Sequence, residues 1–124
     1  MADNQLTLAA LRQKVLAFRD ARDWKQFHNP KDLALALSIE AAEILELFRF
    51  KKPEEIEREL QGEARRALAH ELADVLHFVL LLSHEAGIDL SQALFDKLEL
   101  LEDRYPVELA RGRRLKYTEL RNGS

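Results

Sequence analysis

Four carboxylates stand out by type and spacing. Glu40 and Glu43 are three residues apart, and Glu71 and Asp74 repeat that spacing after 27 intervening residues. Each pair interrupts an apolar stretch: the first lies among Leu33, Leu35, Leu37, Ile39, Ile44, Leu45, Leu47 and Phe48, the second among Leu68, Leu72, Val75, Leu76, Val79 and Leu80. On a helix, positions three apart differ by about 60° around the axis, so each pair projects from one face. Packing two such helices together brings four acids into a small space. Ionised groups there lose hydration and repel, and they either protonate or acquire a cation. Lys31 is the one Lys or Arg in 30–48, and neither type occurs in 67–86, so a bound metal ion is the simplest neutraliser. A single ExxE is more often a pair of solvated charges; two pairs inside two apolar segments reverse that preference.

Oxygen donors in a chain without cysteine suit a hard ion, and Mg²⁺ characteristically combines a few carboxylates with water and substrate phosphate oxygens. A phosphorylated substrate is therefore expected. The sequence has no GxxxxGK loop, so phosphate charge must be met by the metal and by side-chain cations. Lys97 and Arg104, on one face of the last long helix, are the candidates. His70 and His77, near Asp74 at helical spacing, read as structural or supporting histidines rather than ligands.

The elements that must position these groups are helices. Four Gly and three Pro punctuate a chain rich in Leu, Ala, Glu, Lys and Arg. A first helix is expected over 7–22, burying Leu8, Leu11, Val15 and Phe18 on one face. Asn29 and Pro30 read as cap and first residue of a second helix reaching about Phe50, central in the fold. Residues 51–62 form a charged excursion or short helix. A third helix runs from Glu63 to a stop at Gly87, and Asp89 caps a fourth with a Leu90, Leu94, Leu98, Leu101 stripe ending before Pro106. The tail, 107–124, is basic and shows no period. The expected fold is all-α, a four-helix bundle formed as a single domain over 1–124.

With 124 residues, 47% hydrophobic, and 19 Lys+Arg against 22 Asp+Glu for a formal charge of −3, the chain lacks the broad basic surface that a nucleic acid polymer selects. The absence of cysteine excludes thiolate catalysis and fits a reducing compartment, so a cytoplasmic location is expected. The polar segment 1–5 has no signal-peptide pattern, and the longest apolar run, 75–82, is short for a bilayer span. No membrane partner is expected.

Glu40-Ala-Ala-Glu43 followed by Glu71-Leu-Ala-Asp74 resembles the ExxE…ExxD signature of MazG-like all-α nucleotide pyrophosphohydrolases. Arg22-Asp-Trp-Lys-Gln-Phe-His28, Arg104-Tyr-Pro106 and Lys116-Tyr-Thr-Glu-Leu120 look like the branch containing dCTP pyrophosphatase. The resemblance covers 11–120. It implies hydrolysis of a nucleoside triphosphate between the α- and β-phosphates, with dCTP or related pyrimidine deoxynucleotides as substrates and nucleotide-pool housecleaning as the role. It also implies Mg²⁺ on Glu40, Glu43, Glu71 and Asp74, with Glu43 as the base that polarises water. Trp24 and His28 would lie near the base and Phe78 would face the nucleotide; with Phe50 they suggest an aromatic slot. Departures are Phe50 where close relatives often have Trp, Leu101 where many have Asn, and Val15 where some have His.

The family's dimer-based tetramers, together with two helices more apolar than a small monomer can cover, suggest a homotetramer built as a dimer of dimers. Two other readings compete. A ferritin-like di-metal bundle would use Asp74 with His77, but the second helix offers no His and the fourth no matching motif. A non-enzymatic helical interaction module would use the acids to hold a basic partner, and Trp24, Phe27 and Phe50 would then be core or interface aromatics.

Overall fold

A computed structural model describes residues 1–121. Residues 122–124, the end of the expected domain and of its basic tail, lie outside the described residues. Among those described there are helices and turns but no strand, as an all-α chain requires. The long helices are α1 (Leu8–Ala21), α2 (Pro30–Phe48), α4 (Glu63–Ala86) and α5 (Leu90–Arg104); α3 (Pro53–Glu59), α6 (Val107–Ala110) and α7 (Tyr117–Leu120) are short.

Side-chain caps fix where three of the long helices begin. Thr7 Oγ1 accepts from the Ala10 amide at 3.0 Å, Asn29 Oδ1 from Asp32 at 2.9 Å, and Asp89 Oδ1 from Gln92 at 2.9 Å; each satisfies an amide that the helix leaves unpaired. Pro30 occupies the first turn of α2, where no amide is missed. Gly87 ends α4 with φ 67°, and the Ile88 amide donates back to Ser83 O at 2.9 Å, the left-handed stop that glycine makes cheap.

The chain divides into two units, Met1–Ile88 and Asp89–Ser124. In the first, α2 packs extensively on α4, and α1 packs on α4 as well. Leu16, Leu33 and Leu81 form the buried centre, with Val15, Phe78 and Leu82 against it; each buried leucine contributes about 1.5–3 kcal/mol. Arg19 is buried as well. Its Nε donates to Asp20 Oδ1 at 2.9 Å and its Nη1 to Glu85 Oε1 at 3.3 Å, tying α1 to α4. The α1 core face is thus centred on Leu16 and Arg19, and Phe18, expected in the core, is 43% exposed.

Helix α2 also departs from expectation. Leu33 is its one buried residue, while Leu35, Ile39 and Leu45 are exposed, because α4 covers one side of α2 and its remaining apolar surface has no partner of that extent within the unit. Helix α4 has the length and composition of a bilayer span, a feature the short run 75–82 did not suggest. It nevertheless carries Glu71 and Asp74 at mid-length, which hydrocarbon would penalise.

In the second unit, the motifs around Arg104 and Lys116 fold onto each other. The Tyr105 and Tyr117 rings meet edge to face at 6.0 Å, the Arg104 guanidinium lies 4.8 Å from the Tyr117 centroid, and Arg121 Nη2 donates to Asp103 O at 2.9 Å. Leu120 is buried. The tail read as aperiodic therefore contains two helical turns, too short to show a period.

Candidate active site

The packing of α2 on α4 brings acids from both helices together. One oxygen from each of Glu40, Glu71 and Asp74 lies within 4.8 Å of the others. Glu40 and Glu71 are partly buried and Asp74 is exposed. Partial burial lifts the Glu40 carboxyl above the ordinary carboxylate range; the charges of Asp74, Glu71 and Glu43 lift it further, and a side-chain hydrogen bond with Asp74 favours the protonated form too. Glu71 Oε2 is buried with no hydrogen-bond partner. Such an oxygen costs free energy until something donates or coordinates to it. The unpaired oxygen and the all-carboxylate donor set fit a hard divalent cation. Glu43 stays outside the three-acid group and is exposed, although it is close enough to perturb Glu40.

Beside the acids opens a cavity of about 500 Å³. Glu40 and Asp74 form its acidic side, Phe18, His77 and Phe78 its aromatic side, and Lys14 and Val15 complete the lining. The aromatic rings form a connected series: Phe78 to His77 at 5.2 Å, His77 to Phe18 at 6.2 Å and Phe18 to Trp24 at 5.8 Å, all edge to face, the geometry that ring quadrupoles favour. Burial holds the His77 imidazole below its usual range, against an opposing pull from Asp74 and with help from His28. Burial likewise lowers His28, with Arg19 adding to it and Glu85 opposing. His28 Nδ1 is buried and unpartnered.

Of the residues singled out by sequence, Glu40, Glu71, Asp74 and Phe78 are brought together, and Trp24 is joined to them through Phe18. Phe50 is not part of the cavity lining. It is 92% exposed at the end of α2, with φ 63° and the Arg49 guanidinium 4.6 Å from its ring centroid. Lys97 is exposed on α5; Arg104, also on α5, helps line a separate cavity of about 460 Å³ with Asp103, Tyr117 and Arg121. His70 is exposed, and His77 packs against rings rather than joining the acid group. Lys14 is not marked as a site residue by the sequence, and Phe18, expected in the core, lines the cavity instead. Their spacing of four, which places both on one face of α1, was the available signal.

Residues 35–120 match the MazG-like family. dCTP pyrophosphatase 1 of Rattus norvegicus is 40% identical over 119 residues, covering 95% of this chain and 70% of that protein. The Homo sapiens protein of the same name is 40% identical over 121 residues, with the same coverage. The crystal structure of a pyrophosphatase from Archaeoglobus fulgidus superposes with a TM-score of 0.72 at 38% identity, covering 77% of this chain and 89% of that one.

Proposed function

The chain belongs to the MazG-like family, and from that premise we propose that it is a Mg²⁺-dependent nucleoside triphosphate pyrophosphohydrolase. Its preferred substrates are dCTP and related pyrimidine deoxynucleotides, released as the monophosphate and pyrophosphate. The observation that carries this reading is the convergence of Glu40, Glu71 and Asp74 beside an aromatic-sided cavity. Relatives named dCTP pyrophosphatase 1 support the substrate.

Glu40, Glu43, Glu71 and Asp74 would hold the cation, which when bound neutralises charge on the phosphates and on the leaving pyrophosphate. The protein's own part is to orient and to move a proton. Glu43, exposed and outside the three-acid group, would hold the cation less closely than the other three and would also accept the proton of the attacking water. The water oxygen bonds to phosphorus at the α–β linkage as the bridging P–O bond breaks. Phe78 and Phe18 offer ring faces and edges to the base, with Trp24 and His28 behind them. Stacking tolerates every base at about 1–3 kcal/mol each, so pyrimidine choice requires a size limit or an edge contact, for which the unpartnered His28 Nδ1 is suited. Phe50 would close the slot in the assembled protein.

Residues 1–124 would act as one domain of a four-helix bundle, in a cytoplasmic homotetramer arranged as a dimer of dimers. The uncovered apolar residues of α2 support assembly. A monomer in light scattering at micromolar concentration, fully active, would contradict it. The function is tested by pyrophosphate release from each canonical nucleotide with Mg²⁺: dCTP is expected first, other pyrimidine deoxynucleotides next and purines last. Release of orthophosphate in place of pyrophosphate would reject the reaction, and equal use of purines would reject the substrate.

A further inference from the structure

We propose that Lys14 is a substrate-binding residue that contacts the phosphate chain of the nucleotide; this rests on the pyrophosphohydrolase reading above. Lys14 lies one helical turn before Phe18 on α1, and both line the cavity that Glu40 and Asp74 also line. Among the described residues it is the one Lys or Arg in that lining.

The other basic residues of α1 and its C-terminal cap are committed elsewhere. Arg12 Nη2 donates to Ser83 Oγ at 3.3 Å, Arg19 is buried in its pairs with Asp20 and Glu85, and Arg22 donates to Phe18 O at 3.0 Å with its guanidinium over the Phe18 ring. Among the described residues Lys14 has neither an ion pair nor a hydrogen bond. Its ammonium is therefore available, although it shares a cavity with two carboxylates.

Charge balance requires such a group. Four carboxylates bring four negative charges, a divalent cation cancels two, and the triphosphate adds several more. A lysine on a long flexible stem supplies a compact charge with three rotatable donors, suited to a phosphate that arrives with the substrate. A charge-assisted contact of this kind is about twice as strong as a neutral one. Its loss should weaken binding by about tenfold, with much less effect on the chemical step.

The test compares wild type, Lys14→Gln and Lys14→Arg in two measurements: steady-state pyrophosphate release from dCTP, and calorimetric binding of α,β-imido-dCTP and, separately, of Mn²⁺ alone. Lys14→Gln is expected to raise KM and the analogue Kd by about tenfold, with kcat within about threefold. Lys14→Arg is expected to restore most of both, and Mn²⁺ affinity to be unchanged or higher. Unaltered KM and analogue Kd in Lys14→Gln would overturn the inference. So would weaker Mn²⁺ binding, which would place Lys14 in support of the acids instead of on the substrate. If the wild type binds the analogue yet releases no pyrophosphate, the proposed reaction fails, while the binding comparison still decides Lys14.

Discussion

The acidic and aromatic sides of the cavity differ in how far the folded chain alone satisfies them. On the aromatic side, Phe18, Trp24, His77 and Phe78 contact one another edge to face, and Phe78 is also packed on the leucine core. On the acidic side, like charges crowd Glu40, and Glu71 Oε2 is buried without a partner. One side is built by folding; the other is held in place by α2 and α4 at a cost, and under the proposed function a cation would complete it. Substitutions should therefore separate activity from stability in opposite ways on the two sides.

The largest effect is expected on the acidic side. Glu40→Gln, Glu71→Gln or Asp74→Asn should lower kcat by at least about 10²-fold, the scale for removing a preorganised electrostatic contact. Metal-free thermal stability should be unchanged or raised, and the stabilisation by Mg²⁺ reduced. Near-wild-type activity in two of the three would break the distinction. On the aromatic side, Phe78→Leu should raise KM by about three- to tenfold at nearly constant kcat, from lost stacking, and lower stability by about 1 kcal/mol through imperfect repacking. A kcat loss matching that of the acid variants would show that the two sides are not functionally distinct.

A smaller effect follows from the raised Glu40 pKa. A carboxyl whose folded value lies above its ordinary value of 4.5 stabilises the fold while protonated; that contribution is complete below 4.5 and is lost as pH rises through the folded value. Metal-free Glu40→Gln should thus exceed wild type in thermal stability at neutral pH and converge with it below pH 4.5. A constant difference across pH would indicate that the raised Glu40 pKa is not the cause.

The smallest effect concerns Phe50, a bulky residue at φ 63° where glycine is the common helix stop. Phe50→Gly should raise stability by up to about 1 kcal/mol, while weakening discrimination between dCTP and dTTP; Phe50→Trp should increase that discrimination, read as the ratio of kcat/KM. Unchanged ratios in both variants would remove Phe50 from the slot.

The helix boundaries were legible because capping is local. Thr7, Asn29, Asp89 and Gly87 act on amides and carbonyls within a few residues of themselves. The acid group was legible in part: a spacing of three turns each pair toward one face, and Glu40, Glu71 and Asp74 do meet, while Glu43, expected with them, stays outside the group. Which face of α1 turns toward α4 was not legible. Leu8, Leu11, Val15 and Phe18 make a credible apolar stripe, but the ion pair of Arg19 with Glu85, 66 residues away, accompanies a rotation of Leu16 inward and Lys14 with Phe18 toward the cavity. A buried arginine is invisible to hydrophobic periodicity, since its partner lies on another helix.

The central claim, that the acid group holds a divalent cation and thereby drives α–β cleavage, is tested most directly by product analysis of wild type and Glu71→Gln with dCTP, with and without Mg²⁺. The expected result is equimolar dCMP and pyrophosphate from the wild type only when Mg²⁺ is present, with Glu71→Gln folded but at least about 10²-fold slower. Turnover by Glu71→Gln at the wild-type rate, or wild-type turnover that persists after complete removal of divalent ions, would contradict it.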